Sequence, residues 1–127
     1  MNNERRISSF TDLNAWKEGH KLVLSIYKIT NNFPNKEIFS LTSQARRSAI
    51  SITSNIAEGF SRISYKDKAN FYSIAQGSLT ELQNQLLIAR DIDYIKEKEF
   101  KKISEQTIIV HKLISGLIKK SKQIHNS

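Results

Sequence analysis

Three histidines, His20, His111 and His125, are the side chains of this chain best suited to holding a transition metal or moving a proton near neutral pH. A dinuclear site in a helical bundle needs inward glutamates and a Glu-x-x-His motif on two helices, and no Glu-x-x-His occurs here. His20 and His111 fall instead on apolar stripes of helical spacing and are expected as hydrogen-bonded, partly buried side chains. Glu58 and Glu81 would be the pair for acid–base work, but nothing in the sequence brings them to one site. Ser48, Ser51, Ser54 and Ser78 have no adjacent base to activate them. Gly59 and Gly77 are isolated, so no phosphate-cradling loop is present, and cysteine is absent. The reading is of a protein that is not an enzyme and needs no metal or other cofactor.

Polar residues are nevertheless ordered. Gln44, Arg47, Ser51, Asn55, Glu58 and Arg62 recur at spacings of three and four, one stripe of a helix. An exposed Glu58–Arg62 pair is worth about 0.2–0.5 kcal/mol, too little to explain a dedicated stripe. It reads either as a hydrogen-bonded lock between helices or subunits, with Asn55 and Glu58 structural, or as a contact for a ligand or RNA. Glu81 is a candidate partner for Arg46 or Arg47.

The formal charge is +8, which favours polyanionic partners. Basic residues gather at Arg5 and Arg6, at Arg62, Lys66 and Lys68, and at Lys112, Lys119, Lys120 and Lys122. Arg46, Arg47, Arg62, Lys66, Lys68, Lys119, Lys120 and Lys122 are the candidates for phosphate contact. Lysines closing a helix also suit its dipole without any ligand. The cluster around Arg62 and the end of the last helix are expected at opposite ends of the molecule. Tyr65 and Tyr72 either stack on bases or pack the adjoining turn.

The elements that position these residues are all helical. One proline and four glycines leave few breaks. The first helix is expected over residues 12–31, capped by Thr11 and ended by Phe33-Pro34. The second runs over residues 36–57, with Asn35 as its cap, an apolar stripe from Ile38 and Leu41 to Ile56, and Gly59 as a left-handed stop. The third follows Ser64, whose spacing to Asp67 makes a variant capping box, and reaches Asp91. It carries Phe71, Ile74, Ala75, Leu79, Leu82 and Leu86, and the small residues Ala75, Gly77 and Ser78 are expected to admit a close neighbour. The fourth runs over residues 97–122 behind the poor cap Lys96, with Phe100, Ile103, Val110, Ile114, Leu117 and Ile118 inward. Short loops between long helices make an all-α, antiparallel up-down-up-down four-helix bundle over residues 11–123. Residues 1–10 form a flexible arm and residues 124–127 a tail.

The first helix has two apolar stripes. Leu13, Trp16, Val23, Leu24 and Tyr27 form one, and Ala15, Gly19, Leu22, Ile26 and Ile29 the other. One core buries one stripe, so a homo-oligomer is expected whose interface includes this helix, with Trp16, Leu22 and Ile26 as structural or interface residues. Which stripe points inward is open.

The combination Phe10-x-x-Leu13-x-x-Trp16, Phe33-Pro34-x-x-Glu37, Gln44-x-Arg46-Arg47-Ser48-x-x-Ser51-Ile52-x-x-Asn55-Ile56-Ala57-Glu58-Gly59 and Gly77-Ser78-Leu79-x-Glu81-Leu82 resembles the 23S rRNA-intervening-sequence proteins. The likeness spans about residues 10–120 and departs mildly at Gly19 and Lys96, where alanine and a better cap are expected. It implies a four-helix bundle assembled as a ring, a homopentamer. Some members of that family are encoded in segments inserted into bacterial 23S rRNA genes. A related group serves as accessory subunits of diversity-generating retroelements, binding a reverse transcriptase and nucleic acid.

The resulting expectation is a non-enzymatic, homo-oligomeric protein that binds RNA or other nucleic acid through basic surface residues. The alternative is an interaction scaffold or accessory subunit, for example for a reverse transcriptase. No apolar run follows the first arginines and none approaches the ~20 residues of a membrane span, so a cytoplasmic home and no membrane partner are expected.

Overall fold

Apolar side chains at helical spacing form four long helices: α1 (Asn14–Thr30), α2 (Leu41–Ser61), α3 (Tyr65–Asp91) and α4 (Glu97–His125). The computed structural model describes residues 6–127, so residues 1–5 of the expected arm, with Arg5, lie outside the described residues. α1 packs on α2 and α4, and α3 packs on α2 and α4. Among the described residues the diagonal pairs stay apart and no strand forms. This is the expected antiparallel bundle. At its centre Leu22, Ile26, Ile52, Ile56, Leu79, Leu82, Val110 and Ile114 are fully buried. Each such side chain contributes about 1.5–3 kcal/mol of transfer free energy.

The inward stripe of α1 is Ala15, Gly19, Leu22, Ile26 and Ile29. α1 starts later than expected. Ser9, not Thr11, caps a 3-10 turn over Phe10–Asp12, and Asp12 returns the bond by accepting from the backbone N–H of Ser9 at 3.1 Å and of Ser8 at 3.0 Å. Those backbone bonds hold the Asp12 carboxyl below its usual range.

α2 also starts late, at Leu41 rather than Lys36. A 3-10 turn over Asn35–Glu37 intervenes, and Ser40 adopts φ −128° and ψ −104°, outside the helical region. The Glu37 carboxylate then accepts from the Ser40 hydroxyl at 2.6 Å and the Leu41 N–H at 3.3 Å, which satisfies an orphan donor of the new helix. Tyr94 donates to the other oxygen of Glu37 at 3.2 Å and packs on Phe33, tying this turn to the α3–α4 connection. Ile38 therefore leaves the expected stripe and is exposed, and Phe39 is 94% exposed.

Gly59 is not a left-handed stop. No glycine among the described residues has positive φ, and α2 continues to Ser61. Gly59 is buried, and a Cβ there would sit 2.7 Å from Cε1 of Tyr72. It is a site of close approach between α2 and α3. Gly77, expected to play that part, has open space around its Cα. The expected inward Ile74 is exposed, whereas Tyr72 is buried.

The Ser64 hydroxyl accepts from the Asp67 N–H at 3.1 Å, one half of the expected capping box. α3 ends on Asp93 at φ 65°, with Asp93 N–H bonded to Arg90 O and Tyr94 N–H to Ala89 O. These are the two bonds of a Schellman ending, with aspartate in the position glycine usually takes. α4 begins at Glu97 without a side-chain cap, as expected, and runs three residues past the expected Lys122 to His125.

Gly59→Ala is expected to lower stability by about 1–3 kcal/mol, because the buried Tyr72 ring has nowhere to go. Gly77→Ala is expected to raise it by about 0.5–1 kcal/mol in the isolated protomer. Urea unfolding of both variants checks the pair. The Glu37 carboxyl is held below its ordinary value of 4.5, first by the Ser40 hydroxyl and then by the Leu41 N–H. A lowered folded value means stability that is present above 4.5 and lost as pH falls through the folded value. Melting curves against pH should show a shallower acid decline for Glu37→Gln than for the native chain.

Candidate nucleic-acid interface

α2 runs toward the end of the bundle where the turn of residues 62–64 delivers the chain into α3. α4 runs toward the same end, because consecutive helices alternate in direction. The expectation that the Arg62 cluster and the end of α4 lie at opposite ends is therefore incorrect. Tyr65, Lys66, Ala69 and Asn70 of α3 meet Lys122 and His125 of α4 around one concavity of about 230 Å³. Lys66 and Lys122, remote in sequence, thus share one face, and the clusters they belong to lie at one end of the bundle.

Within this face the cations differ in their freedom. Lys68 Nζ donates to the Phe60 carbonyl at 2.7 Å and to Gly59 O at 3.4 Å, across the turn. It thereby serves the Phe60 carbonyl and adds to the bond that Gly59 O already accepts from the Arg62 N–H, and its charge suits the negative end of that helix. Burial pushes its ammonium below the ordinary lysine value. Arg62 pairs with Glu58 at 2.6 Å and its guanidinium lies 4.5 Å from the Phe71 ring centroid. The pair is the expected one, and both members are substantially exposed, so it contributes little to stability. Lys66, Lys119, Lys120 and Lys122 are exposed. Lys119 lies one turn before Lys122 on the same side of α4, whereas Lys120 is turned to a different side.

Arg46 and Arg47 belong to the other half of α2. Arg46 donates to Thr30 Oγ1 at 2.9 Å and Asn31 Oδ1 at 3.0 Å, and stacks 4.6 Å over Tyr27. It ties the end of α1 to α2. Arg47 is exposed. Among the described residues no ion pair joins Glu81 to either arginine, and Glu81 is exposed.

The polar stripe of α2 divides in the same way. In its middle, Ser51 and Ser78 hydroxyls share a 2.8 Å bond between α2 and α3, and Asn55 Nδ2 donates to Ser51 O at 2.8 Å. That part is a lock between helices of one protomer. Gln44, Arg47, Glu58 and Arg62 remain exposed. A similar lock joins α3 to α4, where Gln76 donates to Ser115 Oγ and His111 O, and Gln83 donates to Thr107 Oγ1. Sequence reasoning overlooked Gln76, Gln83 and Thr107. Their signal was weak: Gln76 and Gln83 sit one position off the apolar stripe of α3, and Thr107 is a polar residue within that of α4.

Leu22 and Ile26 are fully buried in the protomer and do not reach its surface. Trp16 is partly buried and stacks on His20 at 4.7 Å, with Phe10 edge-on to it. His20 and His111 are both exposed, not partly buried as expected. Of the second stripe of α1, Leu13 is buried and Trp16 and Val23 pack against the core, so only Leu24, 57% exposed, and Tyr27, 39% exposed, face outward. Ile50, one turn after Arg46 on α2, is also exposed. Among the described residues no three metal-ligating side chains gather, and no helix is long and apolar enough to cross a membrane.

The fold and this face define a class: an antiparallel four-helix bundle with a basic end built from the α2–α3 turn and the last turns of α4. The chain belongs to the 23S rRNA-intervening sequence protein family, whose profile matches residues 11–116. It is similar in fold to a solved protein of unknown function of the S23 ribosomal protein family from Bacteroides thetaiotaomicron VPI-5482. The two share 24% identity with a TM-score of 0.77, over 83% of this chain and 95% of that one. No curated protein matches the chain.

Arg46→Ala and Lys68→Ala are each expected to cost about 1–2 kcal/mol, since hydrogen bonds from charged groups are lost. Lys66→Gln and Lys122→Gln are expected to stay within about 0.5 kcal/mol of the native chain. Thermal melts of the four variants would separate the two kinds of cation.

Proposed function

We propose that this protein is a non-enzymatic, homo-oligomeric bundle that binds RNA or other nucleic acid through its basic end. The observation that carries the reading is the convergence of Lys66 with Lys122 on one concavity. Helix stability does not require this convergence. Lys122 suits the negative end of α4, but Lys66 sits in the first turn of α3, where the helix dipole disfavours a cation. A phosphate backbone placed there would gain from both and release its counterions. The formal charge of +8 and the family's description, which refers to 23S rRNA, favour the same partner.

Assembly multiplies such contacts. The outward stripe of α1, with Leu24 and Tyr27, together with Ile50 of α2, is apolar surface that a second copy would cover. Repeating the basic end around a ring of copies raises affinity without adding contacts per subunit. A second reading, an accessory subunit that docks an enzyme, is favoured by the apolar groove between α3 and α4 at Leu87, Phe100 and Ile108. A cytoplasmic setting fits either reading.

The test is binding of a 23S rRNA fragment and of a scrambled RNA across a salt series, with molecular mass followed by light scattering. The native protein should run as a multiple of one chain and lose affinity steeply with salt. Lys66→Gln with Lys122→Gln should lower the salt slope by about 2, roughly one per phosphate contact removed. An unchanged slope rejects this face as the interface. Leu24→Glu should reduce the mass toward that of a single chain while leaving the fold intact.

A further inference from the structure

We propose that the concavity at the basic end is a subsite for one unpaired nucleobase, stacked on Tyr65, with its phosphate held by Lys66 and Lys122. The inference rests on the nucleic-acid reading of the same end and specifies which form of nucleic acid that end takes.

Tyr65 opens α3 and is 41% exposed, although its neighbour one turn on, Ala69, is buried. The two tyrosines of this region thus divide between packing and surface, and Tyr72 has taken the packing role. The Tyr65 ring has a fixed cation as one neighbour. The ammonium of Lys68 lies 5.8 Å from its centroid, and that ammonium is anchored to the Phe60 carbonyl. Lys68 thereby acts from the α2 side, while Tyr65 lines the concavity formed with α4. A positioned aromatic ring beside an open, cation-bearing depression is the arrangement by which single-strand binders stack bases.

The remaining lining suits a nucleotide. Asn70 and Asn126 carry amides that both donate and accept, as base edges require, and His125 adds an imidazole beside the two lysines. The volume of about 230 Å³ falls below the ~300–1,000 Å³ of pockets for larger ligands. A duplex keeps its base faces stacked inside the helix and offers Tyr65 nothing beyond its backbone. The ring therefore favours an unpaired strand, whereas the lysines favour either form.

The experiment measures binding of a short labelled single-stranded RNA, and of the duplex of the same sequence, by fluorescence anisotropy. The proteins are the native chain, Tyr65→Phe, Tyr65→Leu, Tyr65→Ala and the Lys66→Gln, Lys122→Gln pair, each with its fold verified by circular dichroism. Tyr65→Leu and Tyr65→Ala should weaken single-strand binding roughly tenfold, leaving duplex binding and the salt slope as they were. Tyr65→Phe, which keeps the ring, should bind as the native chain does. Equal single-strand affinity for the native chain and both ringless variants would overturn the stacking subsite. So would an equal loss on both nucleic acids. The underlying reading fails separately, if the lysine pair leaves both affinities and the salt slope unchanged. Anionic phosphatidylserine vesicles form a further arm. Binding to them with none to RNA would overturn the subsite in favour of a membrane surface.

Discussion

The close approach of α2 to α3 at Gly59 is the constraint on which the basic end of the bundle depends. With no Cβ at Gly59, the Tyr72 ring lies against the α2 backbone. α3 then follows α2 through a turn of residues 62–64, short enough for Lys68 to reach back to the Phe60 carbonyl. The ammonium that ends α2 also lies beside the ring that begins the concavity. The packing of α3 on α2 at this end thus depends on one missing side chain, next to the turn that Lys68 bridges and Tyr65 opens.

Polar side chains set the alignment along the seams between consecutive helices. Each neighbouring pair in the run from α1 to α4 carries a hydrogen-bonded link: Arg46 to Thr30, Ser51 to Ser78, Gln83 to Thr107. Apolar packing alone tolerates sliding of one helix on another, because it is non-directional. A buried or half-buried hydrogen bond does not, since a slipped helix leaves its donor unpaired. This explains why polar residues occupy flanks of otherwise apolar stripes. It also separates two kinds of cation. Arg46 and Lys68 are committed to carbonyls and hydroxyls of their own chain, whereas Lys66, Lys119 and Lys122 have charges that face water.

The surface carries apolar area of two kinds as well. Leu24, Tyr27 and Ile50 extend the outer side of the α1–α2 pair, and Leu87 and Ile108 border a groove on the α3–α4 pair. Single exposed apolar residues are ordinary, but adjoining ones on paired helices are the surfaces by which bundles associate. A bundle with a basic end and apolar flanks can join copies through its sides and leave the end accessible.

By itself the sequence determined four helices, their antiparallel order, the Ser64 cap and, among the described residues, the absence of a strand. Helical periodicity and short connections are local properties, and they survive whatever the helices pack against. It also contained the resemblance that places the chain in its family. Tertiary structure decided the rest. Glu37 ended one helix expectation because its carboxylate serves Ser40, Leu41 and Tyr94 at once, and Tyr94 is remote in sequence. Gly59 took the close-approach role expected of Gly77, which has open space instead, because a glycine's use depends on which atoms approach it. The two basic clusters met at one end because charge location in an antiparallel bundle follows chain direction through three helices, which no local window of sequence encodes.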